Sequence, residues 1–372
     1  MLSRLLTTLR KQAVLCIAFL CATVSTLIVG DASGTAAYID WRVITLLFCL
    51  MSAVAGLRRC GLLDRLAFRL VAGERSRRSV CFALVMLPFF ASMLLTNDVA
   101  LITFVPFAVL ALETAGWRTS LARVVVLQAI AANLGGMVTP VGNPQNLFIF
   151  TTYGLSAADF FETLLPFGAL AFALLVVACA TFGSERSQVR LDAVSARIDA
   201  KRLILHSALF TLSLLSVLRV LPYPALLAVV LLALVLFDRH IFVRVDYALL
   251  ATFACFFVFS GNMAHMPAVQ AFLSGLMNGH PMLTSLFASQ VISNVPAAVL
   301  LSGFTSNWHS LLVGVDLGGL GTPIASLASL IALRIYMSAS SASARSFMCE
   351  FALANAVALV LMVALYAVLF VL

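Results

Sequence analysis

Charge is the feature that most constrains this chain. Only 10% of its 372 residues are Asp, Glu, Lys or Arg, and 63% are hydrophobic, whereas about a quarter of a water-soluble domain is charged. The few charges are gathered into short segments between apolar runs: 19 of the 23 Lys and Arg fall within 1–11, 58–78, 118–123, 184–202 and 239–244. The apolar runs at 12–30, 41–57, 163–182, 203–218, 225–237, 247–263 and 348–372 approach the roughly 20 residues that a helix needs to cross a bilayer. Lipid offers backbone groups no partners, so such runs must be helical. The fold class expected is an all-α polytopic membrane protein with about nine full spans. The net charge of +8 lies in the loops and marks one face of the membrane, which argues against a nucleic-acid partner. By the positive-inside rule that face is cytoplasmic and carries the N-terminus. Arg4, Arg10 and Lys11 precede the first run, which reads as a retained helix and not a cleaved signal. The eight Cys sit mostly within apolar runs without a CxxC pair, as packing residues and not ligands.

Residues 80–112 form an apolar run of 33 residues, which would extend about 50 Å as one helix against a hydrocarbon core of about 30 Å. Basic residues flank both ends, Arg75, Arg77 and Arg78 before and Arg118 and Arg123 after. A re-entrant hairpin over about 80–113 meets both facts, with its tip at Thr96-Asn97-Asp98. A second run, about 282–308, breaks at Ser293-Asn294-Val295-Pro296 and lacks flanking Lys or Arg, so it is expected to enter from the opposite face. The two align without gaps, ASMLLTNDVA (91–100) against ASQVISNVPA (288–297). Each is preceded by an acid-aromatic pair, Ile39-Asp40-Trp41 or Val245-Asp246-Tyr247, then a span and a short amphipathic stretch containing Leu62, Leu63, Leu66 and Leu70, or Met266, Val269, Phe272, Leu273 and Leu276. Two inverted-topology repeats follow, residues 1–182 and 224–372, joined by a cytoplasmic linker at 183–202, read as a surface helix, and a connecting span at 203–223. Inverted repeats with broken helices are the architecture of secondary transporters.

After each hairpin comes a phrase rich in Gly and Pro, LGGMVTPVGNPQNL at 134–147 and LGGLGTPIASLASL at 317–330. These should interrupt broken helices at about 121–151 and 311–336, freeing carbonyl oxygens and exposing helix ends. Carbonyl, amide and hydroxyl oxygens suit sodium, while half-helix N-termini suit an anion. The candidate substrate- and ion-binding set is Thr96, Asn97, Asp98, Thr139, Gly142, Asn143, Gln145 and Asn146 in the first half, with Ser293, Asn294, Thr322 and Ser326 in the second. Asn97, Asn143 and Asn294 are the candidate sodium ligands, and no cofactor beyond sodium or a proton is implied. Gln145 and Asn146 either line a substrate path or pair with freed backbone groups. Asp98 and Asp316, which aligns with Asn133, are candidate coupling groups, because a charged acid at bilayer depth costs roughly 2.5–3.5 kcal/mol. Asp98 could instead cap its hairpin, and Asp316 is expected nearer the outer surface. His206, His265, His280 and His309 show no ligand spacing and read as interfacial residues near span ends.

At TNDVAL, TPVGNPQNL, ISNVPAAVLL and GTPIASLASLIAL the chain resembles the ion transporter superfamily, which includes arsenite permeases, citrate and dicarboxylate symporters and some sodium/proton antiporters. The resemblance covers roughly 39–371 and is nearest the bacterial YbiR-type inner-membrane proteins, described as anion transporters. It implies a site in the bacterial cytoplasmic membrane for a small inorganic or organic anion, a sodium- or proton-coupled alternating-access mechanism, and a homodimer as one compatible assembly. In the dicarboxylate symporters of that group, Ser-Asn-Thr hairpin tips hold sodium and contact carboxylates. The matching positions here are Thr96-Asn97-Asp98 and Ser293-Asn294-Val295, where Val295 lacks a hydroxyl and Asp98 adds a negative charge. That departure counts against a citrate-like substrate and brings the tip closer to the arsenite-permease pattern, so arsenite efflux and sodium/proton antiport stand beside anion uptake. A channel built on Asn143-Pro144 and Asn294-Val295-Pro296 fits less well, because the broken phrase spans the membrane instead of turning back and the chain is longer than a six-span pore needs. No HExxH, GxSxG or Gly-rich phosphate loop points to an enzyme.

Overall fold

The computed structural model describes residues 12–30, 34–189 and 198–371. Those residues form seventeen α-helices: α1 (Ala13–Val29), α2 (Trp41–Arg59), α3 (Leu62–Val71), α4 (Arg77–Ser92), α5 (Asn97–Thr114), α6 (Leu121–Gly136), α7 (Pro144–Thr152), α8 (Ala157–Ala180), α9 (Ala200–Val217), α10 (Tyr223–Phe237), α11 (Tyr247–Ala264), α12 (Pro267–Gly279), α13 (Pro281–Ile292), α14 (Asn294–Ser302), α15 (Trp308–Leu317), α16 (Leu327–Tyr336) and α17 (Ala344–Phe370). The one sheet among them is a two-stranded antiparallel ribbon, β1 (Gly73–Ser76) with β2 (Arg186–Val189), in which Gly73 faces Val189 and Ser76 faces Arg186.

The protein is an all-α polytopic membrane protein. Seven helical stretches are long and apolar enough to cross a membrane: α2, α5, Arg118–Gly136 containing α6, α8, α9, α11 and α17. The outer faces of α1, α10 and α17 expose Leu27, Ile28, Leu232, Phe237, Leu353 and Val360, apolar surface of the kind that a bilayer covers. In contrast, every residue of α6 except Arg123 is buried. This helix forms the axis of the molecule, with α4, α5, α8, α16 and α17 around it.

Local sequence explains the helix starts. Asp40 and Asp246, the acids of the repeated acid-aromatic pairs, are N-caps: Asp40 Oδ1 accepts from the Arg42 and Val43 N–H groups at 3.0 and 3.1 Å, and Asp246 Oδ1 from Leu249 N–H at 3.0 Å. These bonds satisfy donors that a helix leaves orphaned in its first turn. Ser156 and Asp159 form a reciprocal capping box on α8.

The run at 80–112 folds as two helices, α4 and α5, packed on each other and separated at Met93–Thr96. The run at 282–308 does the same as α13 and α14, which meet at Ser293. The two broken segments run as α6 then α7, and as α15, a single 3-10 turn (Pro323–Ala325) and α16. Packing repeats between the halves: α4 lies along α6 as α13 lies along α15, and α5 packs on α16 as α14 packs on α7. The second arm of each hairpin thus rests on the helix that follows the break in the other half. Gly135 and Gly318 permit the first of these contacts, since a Cβ at Gly135 would meet the Phe89 carbonyl and Ser92, and one at Gly318 would meet Ser289.

Several expectations are corrected. The linker is not a surface helix over Arg186–Val189; it pairs with β1, and α9 begins at Ala200. The basic segment 1–11 and linker residues 190–197 lie outside the described residues. α1, placed by sequence order with the first half, packs on α11 of the second, where Asn262 Nδ2 donates to Ser25 Oγ and Thr26 Oγ1, both at 2.9 Å. His206 is fully buried, not interfacial. Its Nε2 lies 3.3 Å from Asp238 Oδ2, while Arg59 Nη1 reaches Asp238 Oδ1 at 3.2 Å. This buried acid ties α2 and α9 to the end of α10, and Gly56 makes room for the imidazole, which would collide with any Cβ there. Gly56→Ala should therefore overpack the α2–α9 contact and cost about 1–3 kcal/mol, read as a lower melting temperature of the detergent-solubilised protein.

Candidate functional site at the two helix breaks

Breaking a helix inside an apolar environment frees backbone groups that must find partners. In the first half Asn146 does this work. Its Nδ2 donates to the carbonyls of Met137 (3.0 Å), Thr139 (3.2 Å) and Gly136 (3.5 Å). Asn143, with its amide turned to satisfy both ends, donates to Gly142 O at 2.8 Å and accepts from Met137 N–H at 3.2 Å. In the second half the same task falls to Gln290, from the hairpin: Nε2 donates to Gly318 O (2.8 Å) and Leu320 O (2.9 Å), and Oε1 accepts from Thr322 N–H (2.9 Å). Gln290 was not among the residues singled out from the sequence, where it aligns with the apolar Met93.

Each hairpin tip is fastened to the break in its own half. Asn97 N–H donates to Gly142 O at 3.2 Å, and Thr139 Oγ1 donates to Met93 O. The equivalent positions repeat the pattern, with Ser293 Oγ donating to Ala325 O at 3.2 Å and Thr322 Oγ1 to Gln290 O at 3.4 Å. Both tip asparagines turn back on their own helix starts: Asn97 Oδ1 accepts from Asp98 N–H, and Asn294 Oδ1 from Val295 N–H, each at 2.9 Å. The tips differ at Ser293, whose φ of 73° is unusual for a side chain with a Cβ and marks local strain.

Asn133 joins the halves and is the residue that sequence reading most undervalued. Its Oδ1 accepts from Asn97 Nδ2 (3.0 Å) and from Ser326 Oγ (2.9 Å), and its Nδ2 lies 3.4 Å from Gly319 O. One buried amide therefore links the first hairpin to the second break. The aligned acid, Asp316, reaches the other way: Gln145 Nε2 donates to its Oδ1 at 3.1 Å, with Asn143 and Asn146 alongside. Asp316 is only 3% exposed, so it lies inside the protein, bonded across the boundary between the halves. Of the candidate set, Asn97, Thr139, Gly142, Asn143, Gln145, Asn146 and Ser326 are brought into this region together with Asn133 and Asp316. Ser293, Asn294 and Thr322 lie at the second tip and break. Asn97 and Asn143 are neighbours, and Asn294 faces Gly319, whose carbonyl lies 3.4 Å from Asn133 Nδ2.

Thr96 and Asp98 face elsewhere. They line a cleft of about 560 Å³ between the start of α5 and a wall made by α2 and the start of α11, with Arg58, Arg59, Asp64, Arg244 and Asp246 around it. The Asp98 carboxylate accepts no hydrogen bond from a described residue, so it does not cap the hairpin; the α5 cap is Thr96 by position, without a side-chain bond. Ser260 Oγ on α11 donates to Val299 O (3.1 Å) and Leu300 O (3.3 Å), and Tyr153 Oη donates to Ser302 O (2.9 Å) and Thr305 O (2.8 Å). A cleft thus lies beside the first hairpin, while the second arm of the other hairpin is bonded to α11 and to Tyr153 at the end of α7.

Residues 4–307 match the family described as citrate transporter. The chain belongs to that family. It is 32% identical over 298 residues to a transporter of Methanocaldococcus jannaschii, covering 80% of this chain and 81% of the relative. It is likewise 32% identical over 303 residues to the inner membrane protein YbiR of Escherichia coli, at 80% and 81% coverage. A shorter match, 31% over 137 residues, reaches the silicon efflux transporter LSI3 of rice, covering 37% of this chain and 28% of that protein. This citrate transporter family member is thus a multi-pass membrane transporter. Asn133→Ala would strand Asn97 Nδ2 and Ser326 Oγ without their shared acceptor. A loss of about 1–3 kcal/mol is expected from two buried donors left unpaired, measured as a lowered melting temperature. The exposed substitution Ser340→Ala should leave that temperature unchanged.

Proposed function

We propose that this protein is a secondary active transporter of a small anion or oxyanion, working by alternating access and driven by a proton or sodium gradient. The observation that carries the reading is the pairing of the two breaks through Asn133 and Asp316. Each residue leaves its own half to bond the other half's break, so relative movement of the halves must remake the polar centre. The cleft beside the first hairpin, open while the second hairpin is fastened to α11 and α7, has the form of one end state of such a cycle. The basic rim favours assigning the open side to the cytoplasm of a bacterial inner membrane, with the N-terminus on the same side, and the two halves to inverted repeats.

In this reading Asn97, Asn143, Asn294 and Ser293 contribute oxygens to sodium or substrate at the tips, and the freed N–H groups at the breaks receive the anion. Asp98, uncapped and facing the cleft, favours a second reading in which the solute is a neutral oxyacid, as the match to a silicon efflux transporter also suggests. A carboxylate beside the path repels an anion but not a neutral acid.

Reconstitution into liposomes decides between them. Uptake of labelled citrate, sulfate, arsenite and silicic acid is measured under imposed pH and sodium gradients. Saturable, gradient-driven uptake of at least one solute is expected, reduced at least tenfold by Asn97→Ala and by Asn294→Ala with the protein still monodisperse. Uptake indifferent to both substitutions would sink the hairpin-tip site. Asp98→Asn separates the two solutes: it should strengthen apparent affinity for an anion and leave that for a neutral acid unchanged.

A further inference from the structure

A groove of about 270 Å³ runs along the back of α6, between α8 and α17. Alanine leaves the room for it: Ala171 and Ala178 on α8 and Ala354 and Ala358 on α17 line the space that larger side chains would fill. The floor is Ile130 and Leu134 of α6, both buried, and the lip is Val177, Leu353 and Val357, all exposed. The groove therefore opens sideways, onto the apolar outer surface that a bilayer covers. It shares no lining residue with the cleft beside Asp98.

Two charged side chains stand at one end of this apolar space, Arg123 in the first turn of α6 and Glu350 in the second turn of α17. The chain fixes them at the same end. Ser340 Oγ and Ser341 Oγ, just before α17, donate to Glu113 Oε1 at 2.7 and 3.2 Å, beside the connection from α5 into α6. Arg123 and Glu350 form no ion pair with each other, and neither has a hydrogen-bond partner among the described residues. The one contact of the guanidinium is with the Phe182 ring, 5.1 Å from its centroid. Five N–H donors on one side chain and about four lone-pair sites on the other are thus left for an outside partner. The other charges near this end, Arg118 and Arg345, are exposed and outside the groove.

A separated cation and anion above an apolar slot have the complementary form of a zwitterionic lipid. We infer that the groove binds one phospholipid with a primary-amine headgroup, of the phosphatidylethanolamine class. Its phosphate pairs with Arg123, its ammonium with Glu350, and one acyl chain lies along α6 to Leu134. The length fits: the eleven-residue step from Arg123 to Leu134 rises about 16 Å, close to half of a hydrocarbon core of about 30 Å. The chain therefore spans one leaflet, on the side of the basic segments. Charge selects the headgroup. An anionic headgroup would pair with Arg123 but set a second negative charge beside Glu350. A choline headgroup carries the cation but has no N–H to donate to the carboxylate, so it forgoes the charge-assisted hydrogen bond. The lipid chain ends against the turn of α6 that leads into Gly135 and Gly136, so it packs on the back of the helix that carries the first break.

Native mass spectrometry of the full-length protein, delipidated in detergent and titrated with phosphatidylethanolamine, phosphatidylcholine or phosphatidylglycerol of matched chains, tests this without any transported solute. One phosphatidylethanolamine is expected to bind and to survive collision energies that strip the other two. Glu350→Gln should weaken its apparent affinity about tenfold, to that of phosphatidylcholine, the size of one charge-assisted hydrogen bond. Ala354→Phe, which fills the groove and leaves both charges in place, should weaken all three lipids together. Glu350→Gln, at a half-buried position, keeps the test decisive if Ala354→Phe does not fold. Equal retention of the three lipids, a preference for phosphatidylglycerol, phosphatidylethanolamine binding unchanged in Glu350→Gln, or a lipid-free dimer that Ala354→Phe disrupts would each overturn the proposal.

Discussion

Two helices broken inside an apolar protein leave carbonyl and N–H groups that neither lipid nor neighbouring Leu and Val can satisfy. The rest of this structure follows from how those groups find partners. Asn146 takes three carbonyls of the first break, and Gln290 takes two carbonyls and an N–H of the second. The Gln290 bonds, and those of Thr139 and Thr322 to the hairpin backbone, require the hairpins to lie against the breaks, which is why small residues separate α4 from α6 and α13 from α15. Without Gly135 and Gly318 the hairpins could not approach closely enough for Thr139 and Thr322 to bond the hairpin backbone.

The cross-half contacts turn two local solutions into one device. Asn133 and Asp316 occupy aligned positions and each reaches into the opposite half. In the proposed alternating-access cycle, a buried hydrogen bond across the boundary between the halves would have to be made again, in another form, after each movement. That would give the centre a small number of discrete arrangements in place of a continuum, which is what a carrier needs if both sides are never open together. The buried Asp238 cluster with Arg59 and His206 does the opposite: it lies away from the breaks and ties α2 and α9 together.

Much of the fold was legible because lipid leaves few options. Apolar runs had to be helices, and the polar tips at Asn97 and Asn294 had to interrupt them. The acid-aromatic pairs, visible as a repeat, turned out to be helix N-caps at Asp40 and Asp246. The candidate site was legible to the extent that Gly and Pro locate a break. Gln290 escaped because its aligned partner is Met93, so repeat comparison gave no signal. Asn133 was visible only as the partner of Asp316 in an alignment, since nothing along the chain says that a side chain will bond across to another half. The strand pairing of Gly73–Ser76 with Arg186–Val189 was hidden for a related reason: two four-residue polar segments more than 100 residues apart carry no period to read.

The sequence by itself determined that this is a helical membrane protein with two broken segments and two hairpins, because hydropathy and the Gly/Pro phrases act locally and lipid enforces their consequences. Tertiary structure alone decided which half each polar group serves. α1 joins the second half, Asn133 and Asp316 cross between halves, Asp98 faces a cleft and Asp316 is sealed from solvent. Those outcomes depend on contacts between residues far apart in the chain, and the number of such pairings that one hydropathy pattern allows is large.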